Sequence, residues 1–227
     1  VRNFVMDAND RMTAATQPGL NLGWSYAADG SVTNLPNIGS LSYNNQGWLT
    51  TPGFDQDNNG NLTEWQTKQG QTATANYDAA NRLTSVTELG NTIDFQYDGF
   101  GDLRRQCEGS DCVERLLDQS SGLAQVISAR DSQGEQHFLF GPLGELLATV
   151  NQDSNGSTAH YYLTDHQNSV LGQLNHNGQW VGERTYSPYG ERLSDSFTQS
   201  MPLGYTGEWH SANDLVFLRA RMYAPQL

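Results

Sequence analysis

Histidines at 137, 160, 166, 176 and 210 are the only candidates for acid-base work in this 227-residue chain, because imidazole is the side chain that titrates near neutrality. One of them follows a carboxylate directly, in Asp165-His166. Adjacent residues of an extended strand point to opposite faces, so these two cannot form a dyad if that stretch is extended. The expectation for His166 is a hydrogen-bonded structural histidine at a turn. No Ser or Cys sits in a nucleophile-elbow context, no Gly-rich loop precedes a helix, and His-Glu-x-x-His is absent. Carboxylates are plentiful, but nothing singles out a pair spaced for glycoside hydrolysis. No catalytic residue and no cofactor is assigned.

Metal chemistry has one opening. Asp55-x-Asp57-x-Asn59-Gly60 followed by Leu62 matches the start of a calcium loop, with oxygen ligands at alternate positions and Gly at the sixth. The twelfth position is Gln66 instead of a bidentate Glu, and no amphipathic helices flank the loop, so an Asn-Gly hairpin turn is the expectation and calcium the alternative. Cys107 and Cys112 bracket Glu-Gly-Ser-Asp and are read either as a disulfide closing a hairpin or as two free thiols on adjoining strand ends. Zinc is disfavoured, because no second Cys or His pair has ligand spacing.

Two further sets carry binding chemistry. Arg219 and Arg221 stand at an i, i+2 interval, which on a strand puts both on one face with Tyr223. In a chain this short of cations they are expected to lock neighbouring hairpins by pairing with Asp165, Glu191 or Glu208, or else to face solvent. Trp24, Trp48, Trp65, Trp180 and Trp209, with ten tyrosines, are candidates for stacking on sugar rings. The competing reading is that they fill cross-strand pairs of a sheet, since their placement follows a repeat.

That repeat is what must position everything above. Tyr77-Asp78 and Tyr97-Asp98 stand twenty residues apart, and Leu83 and Leu103 keep the same interval. Each copy reads Tyr-Asp, turn formers ending in Asn or Gly, one polar residue, then an apolar residue opening an alternating run. This is a strand ending in Tyr, a turn in which Asp bonds back to the backbone, and a returning strand. Tyr26 to Val32, Tyr43 to Leu49, Phe54 to Leu62 and Phe140 to Leu146 are worn copies. Leu35-Pro36-Asn37-Ile38-Gly39 is expected to interrupt them as a loop, because Pro cannot donate to a ladder. Leu116-Leu117 and Val126-Ile127 are compatible with a short helix, but Gly122 and the flanking turns favour strands. A lone hairpin cannot bury its apolar face, so the repeat implies an all-β fold of hairpins stacked into one long sheet.

Composition narrows the function classes. With 25 acidic against 12 basic residues the net charge is −13, and Lys68 is the only lysine. Nucleic acid and anionic membrane both demand clustered cations, so neither is an expected partner. No stretch has the apolar length to span a bilayer, and Val1-Arg2-Asn3-Phe4 is not a signal peptide. The chain starts inside what reads as a strand, and a fragment of a longer polypeptide is expected.

Tyr77-Asp78-Ala79-Ala80-Asn81-Arg82-Leu83-Thr84 resembles the consensus of YD repeats, the unit of bacterial RHS proteins, Tc toxin C components and teneurin extracellular regions. From His160 onward the resemblance is to the RHS-associated core. It is carried by Tyr161-Tyr162-Leu163-Thr164-Asp165-His166-Gln167-Asn168-Ser169-Val170, Tyr186-Ser187-Pro188-Tyr189-Gly190-Glu191, Leu203-Gly204-Tyr205-Thr206-Gly207-Glu208 and Asp214 through Pro225. Departures are Gln167-Asn168 for Leu-Gly, Ser187 for Asp, Met222 for Tyr and Ala224 for Asp. The resemblance implies YD hairpins over 1–150 and the amino-terminal part of the core over 151–227, in a coiling sheet that forms part of a shell. It implies a non-enzymatic role, since the family's self-cleaving aspartyl chemistry needs a motif beyond Leu227. It also implies a bacterial, secreted or cell-surface polymorphic toxin whose shell encloses a variable carboxy-terminal polypeptide, with the rest of that polypeptide as partner. The alternative is an extracellular carbohydrate-binding, adhesive or self-assembling module that docks through sheet edges.

Overall fold

The computed structural model describes residues 3–120 and 123–227; the readings made at Val1, Arg2 and Gly122 lie outside them. The strands run, in chain order, β1 (Asn3–Met6), β2 (Met12–Gln17), β3 (Leu20–Gly23), β4 (Ser25–Tyr26), β5 (Val32–Leu35) and β6 (Gly39–Ser40). Then come β7 (Asp55–Gln56), β8 (Leu62–Gln66), β9 (Thr72–Tyr77), β10 (Leu83–Glu88), β11 (Asn91–Tyr97), β12 (Leu103–Glu108) and β13 (Asp111–Asp118). Next are β14 (Gln125–Arg130), β15 (Gly134–Phe140), β16 (Leu146–Asp153), β17 (Gly156–Thr164), β18 (Val170–Asn175), β19 (Trp180–Tyr186) and β20 (Arg192–Asp195). The last are β21 (Trp209–His210), β22 (Val216–Phe217) and β23 (Met222–Tyr223). The only helical element among the described residues is one 3-10 turn at Tyr205–Gly207.

Strands β7 to β20 form a 14-stranded open sheet in which hydrogen-bonded neighbours follow chain order, and three small three-stranded sheets account for the rest. The chain divides into two compact units: 1–81 with 86–90 and 226–227, and 82–85 with 91–225. In the first, Ala15, Leu22, Trp24 and Leu35 form a core with Met12, Tyr26 and Val32 against it. In the second, Ile93, Phe95, Leu103, Phe138, Leu146, Val170 and Val216 are buried. Strand β11 shows why this follows from sequence: Ile93 and Phe95 are buried while Asn91, Asp94 and Gln96 are exposed, the period of two that an alternating run dictates. Residue 150, where motif content changes, falls inside β16.

One turn recurs throughout. Its first N–H donates to the fifth carbonyl and its fourth N–H to the first carbonyl, as at Asp57 with Asn61 and Gly60, and at Asp165 with Ser169 and Asn168. The fourth residue is left-handed, with φ 60° at Asn81, 67° at Asn168 and 91° at Gly101. This is a type I turn closed by a bulge, and it demands Gly, Asn or Asp there. The preceding strand shifts register by one residue, as between Gln96 and Tyr97. The Asp opening each turn accepts from the backbone two residues on, at 2.9 Å from Ala80 to Asp78 and from Phe100 to Asp98. Pro36 does not interrupt pairing as expected: Leu35 pairs with Gly39 and Asn34 with Ser40, because Pro36 lies in the turn itself, where no ladder bond is required of it.

The tyrosines link each turn to the one before. Tyr26 Oη donates to Met12 O at 2.9 Å, Tyr43 to Val32 O at 2.9 Å, Tyr77 to Leu62 O at 2.9 Å and Tyr97 to Leu83 O at 2.8 Å. Each acceptor is the apolar residue that opened the previous returning strand. The arginine just before that residue covers the same ring: Arg11 lies 4.8 Å from the Tyr26 centroid and Arg82 5.1 Å from that of Tyr97. Arg11 also donates to Ala27 O at 3.1 Å. Tyr77 is held by burial at a pKa of about 12, so the hydroxyl remains a donor at any physiological pH.

Tyr97→Phe keeps the ring and removes the Leu83 bond, so chemical denaturation should show a loss of about 1 kcal/mol with an unchanged slope. Leu103→Ala, at a fully buried site, should cost about 2–5 kcal/mol in the same assay. A Tyr97→Phe variant as stable as the parent would remove the hydroxyl from the account of how hairpins are joined.

Candidate functional site

The motifs read between 161 and 225 are scattered in sequence and pack together in space. Ser169 and Val170, following the Asp165 turn, are buried. Ser169 Oγ accepts the Thr206 N–H at 3.1 Å, and the Val170 N–H donates to Gly204 O at 3.0 Å. Tyr205 donates through its hydroxyl to Pro188 O at 2.9 Å, and Tyr223 donates to Tyr189 O at 2.7 Å. The hydroxyl-to-carbonyl link of the repeats is thus reused here.

Gly204 explains itself by close approach. A Cβ on it would meet His210 Nε2 at 2.6 Å and Tyr186 Oη at 2.8 Å, so no larger residue fits. His210 is buried, and its Nε2 accepts the Tyr205 N–H at 2.9 Å. Burial, reinforced by Arg192 and Arg184, pushes the imidazole pKa down to about 3. Tyr186, 6.0 Å away between ring centroids, is pushed up to about 12 by the same desolvation. A neutral histidine used as an acceptor and tyrosines that cannot ionise are packing groups, and the set offers no acid-base pair near neutrality.

Ion pairs tie the carboxy-terminal segment to the sheet edge. Arg184 is 3% exposed and binds Asp195 through Nε at 3.0 Å and Nη2 at 2.7 Å. Its other contacts are Leu203 O at 3.0 Å and Met201 O at 3.1 Å. Arg192 pairs with Asp195 and Asp214. Gln173, fully buried, accepts the Thr198 N–H at 2.9 Å and the Gln199 N–H at 3.3 Å and donates to Gln199 O at 3.1 Å. Arg184 and Gln173 went unnoticed in the sequence, and His210 was read only as a candidate for acid-base work. Nothing in an isolated Gln or Arg of a strand signals burial.

The expected site residues distribute as follows. Asp165 accepts from Gln167 at 2.9 Å and Ser169 at 2.8 Å, organising its turn, while His166 is exposed beside it. Arg219 and Arg221 do not share a strand face. The chain reverses there, Arg219 has φ 60°, and the Leu218 N–H donates to Arg221 O at 2.9 Å. The two arginines sit in the turn that joins β22 to β23, where the alternation of a strand does not apply. Arg219 pairs with Glu208 at 2.9 Å, and burial raises the Glu208 pKa against that partner. Cys107 and Cys112 face each other across β12 and β13 with their sulfurs bonded.

Asp57 spends its carboxylate on Asn59, at 2.9 Å, and on Asn61, through the backbone at 2.9 Å and the side chain at 2.8 Å. The Asn61 amide is the main reason its pKa is lowered. No group of three or more His, Cys, Asp or Glu able to hold a metal occurs among the described residues. Residues 57–61 form the recurring hairpin turn, with the Asp57 N–H donating to Asn61 O at 2.9 Å and the Gly60 N–H to Asp57 O at 3.0 Å. Trp24, Trp65 and Trp209 are buried and cannot stack on a sugar; Trp48 and Trp180 are exposed. Trp180 lies across Gly172, where a Cβ would meet its ring at 2.5 Å.

A family model described as Teneurin YD-shell matches residues 3–227. Among solved structures, the chain is similar over 99% of its length, at 14% identity and a TM-score of 0.47, to 16% of a chain in the Tc holotoxin pore of Photorhabdus luminescens. It is also similar over 99% of its length, at 12% identity and a TM-score of 0.36, to 19% of a chain in the TcdB2–TccC3 complex without the hypervariable C-terminal region. The chain therefore spans under a fifth of those relatives' length. No curated protein sequence matches it.

Two outcomes test the site. Breaking the buried Arg184 pair by Arg184→Ala should cost about 3–5 kcal/mol, whereas Arg219→Ala, at a pair 35% exposed on the arginine, should cost less than about 1 kcal/mol. Comparable losses would show that burial does not rank these pairs. For His210, the unfolded chain takes up a proton between pH 6.5 and 3 that the folded chain refuses. Its contribution is complete above 6.5 and is lost as pH falls toward 3, by an amount on the order of 5 kcal/mol at the acid end. His210→Gln keeps an acceptor for Tyr205 and should flatten the Tm-against-pH curve between pH 6 and 4; an acid limb as steep as the parent's would assign it to other groups.

Proposed function

The chain belongs to the Teneurin YD-shell family, and on that premise we propose that it is a segment of the wall of a larger RHS-type shell that encloses a polypeptide cargo. The observation that carries this reading is the repeated tyrosine link, which spends side-chain chemistry on joining neighbours. A wall needs that continuity, and a catalyst needs groups poised to react. The buried histidine and raised tyrosines of the packed motifs fit a static role. No helix of the described residues is long and apolar enough to cross a membrane.

Export or display at a cell surface accords with the bonded cysteine pair, since such bonds persist in oxidising surroundings. The partners in this reading are further hairpins of the same polypeptide and its enclosed carboxy-terminal region. Self-association through sheet edges is the weaker reading on physical grounds. One end strand, β7, has two residues, and the other, β20, carries Arg192 and Asp195, which bind each other. Short and charged edges oppose pairing with another chain.

The test is limited proteolysis of the natural polypeptide that contains this segment. Residues 55–195 should survive protease that removes linkers, and a segment enclosed by the shell should become cleavable only after denaturation. Cleavage of every other segment at the same rate before and after denaturation would overturn the enclosing role.

A further inference from the structure

Cys107 on β12 and Cys112 on β13 stand directly opposite each other and are bonded. The loop they close runs only from 107 to 112, so the bond removes little chain entropy, and the ladder partners from Arg105 with Glu114 to Glu108 with Asp111 hold the same hairpin without it. The bond also lies on the solvent-facing side of the sheet. Cross-strand partners share a face, and Asp94, which stands opposite Cys107 on β11, is exposed, as are Gln96 and Glu114 on either side of Arg105. Both cysteines are half-buried and adjoin the exposed hairpin tip, Glu108 to Asp111.

The two sulfurs differ in their neighbours. Arg105 Nη2 donates to Cys112 Sγ at 3.2 Å. Its Nε is 3.7 Å from Glu114, longer than a hydrogen bond, and Glu114 also stands opposite Arg130 on β14, so this carboxylate is shared between two cations. Cys107 has Asp94 opposite it instead. Glu108 and Asp111, one residue beyond the cysteines, face each other on the other side of the sheet. A disulfide sulfur is a weak acceptor and a thiolate a strong one, so the Arg105 contact strengthens as the S–S bond breaks and favours departure of Cys112. A thiolate leaving from Cys107 would form beside Asp94. A cationic neighbour lowers a thiol's pKa, and the thiol of lower pKa leaves faster.

We propose that the Cys107–Cys112 bridge is a modification site at which Cys107 takes up a small thiol while Cys112 leaves as a thiolate held by Arg105. The incoming thiolate sulfur bonds to Cys107 Sγ, the internal S–S bond breaks, and its electron pair departs on Cys112 Sγ. One thiolate is consumed and one released, and one disulfide replaces another, so the step needs no oxidant. In oxidising surroundings the internal bond persists; where free thiols are abundant the mixed disulfide forms. Charge selects the thiol. With a net charge of −13 and Asp94 beside the sulfur under attack, an aminothiol is favoured over a thiol that carries a carboxylate.

The probe is cysteamine near neutral pH, with acid quenching, alkylation of the freed thiol, and fragmentation of the tryptic peptide that spans both cysteines to locate the adduct. The expected result is an adduct on Cys107 in excess over Cys112 by about threefold or more, with the strand signal in far-UV circular dichroism retained. Arg105→Gln, at a side chain 41% exposed, should slow the reaction by about threefold or more and narrow that preference. Asp94→Asn should narrow it too, by letting Cys107 leave as well. Both changes are on the solvent-facing side, so each oxidised variant should match the parent in Tm, which separates an effect on rate from a loss of folding. Mercaptoacetate at the same thiolate concentration should react about threefold more slowly or less still; a rate equal to that of cysteamine overturns the choice of an aminothiol. An adduct divided evenly or richer on Cys112, or an unchanged rate and partition in Arg105→Gln, overturns the proposal. Loss of strand signal when the bond opens does so as well, because the bond would then be a staple the hairpin cannot do without.

Discussion

A tyrosine hydroxyl donating to a carbonyl one hairpin back is the interaction on which the rest depends. An isolated hairpin is marginal in water, because ordering its backbone costs more than its exposed ladder returns. Each link at Tyr26, Tyr43, Tyr77 and Tyr97 adds about 1 kcal/mol, which is small. Its value is that it couples neighbours, so that a hairpin unfolds only by breaking contacts with the next. Stability then grows with the number of interfaces, as in other quasi-linear repeats. The ring is part of the same device. It is buried enough to need its hydroxyl satisfied, and the arginine that covers it at Tyr26 and Tyr97 stands one residue before the acceptor carbonyl.

The turn makes that geometry repeatable. A bulge shifts the register by one residue just before the reversals that follow Tyr26 and Tyr97. The Asp that opens the turn fixes the next backbone N–H groups, and where Asp is missing something else does so. At the turn opened by Ser187 the hydroxyl accepts the Glu191 N–H at 3.0 Å, and in the Gly141 turn Glu145 accepts the Leu143 N–H at 2.9 Å. The departure of Ser187 from Asp therefore keeps the function of the position. Local chemistry conserves a geometry even when the residue type drifts.

Much of this was legible because it is local. Tyr-Asp spacing, Asn or Gly at the fourth turn position and alternating apolar residues are read within one hairpin, and they specify strands and turns almost alone. What escaped is what depends on distant residues. The offset of Arg11 before Met12 and of Arg82 before Leu83 was visible, but their purpose requires the next tyrosine to be in place. Gln173, Arg184 and Arg115 are ordinary polar letters in strands, and only packing by segments well separated in sequence buries them. Arg219 and Arg221 mark the opposite failure: a period-two reading was applied where the backbone turns with φ 60°. Alternation is evidence for a strand only when the strand continues.

The scarcity of cations gives the last constraint. With 12 basic residues against 25 acidic ones, every arginine withdrawn from the surface makes the remaining exterior more acidic than the net charge states. Arg115 and Arg184 are withdrawn almost completely, and Arg11 and Arg82 lie over rings. At physiological salt, interactions between exposed charges are largely screened beyond about 8 Å. Inside the sheet the same arginines act over bond lengths. Arg115 and Arg184 thus place positive charge within the packing, whereas Lys68, Arg130 and Arg221 stay exposed, so the withdrawal of cations is selective and falls on the strands that other segments cover.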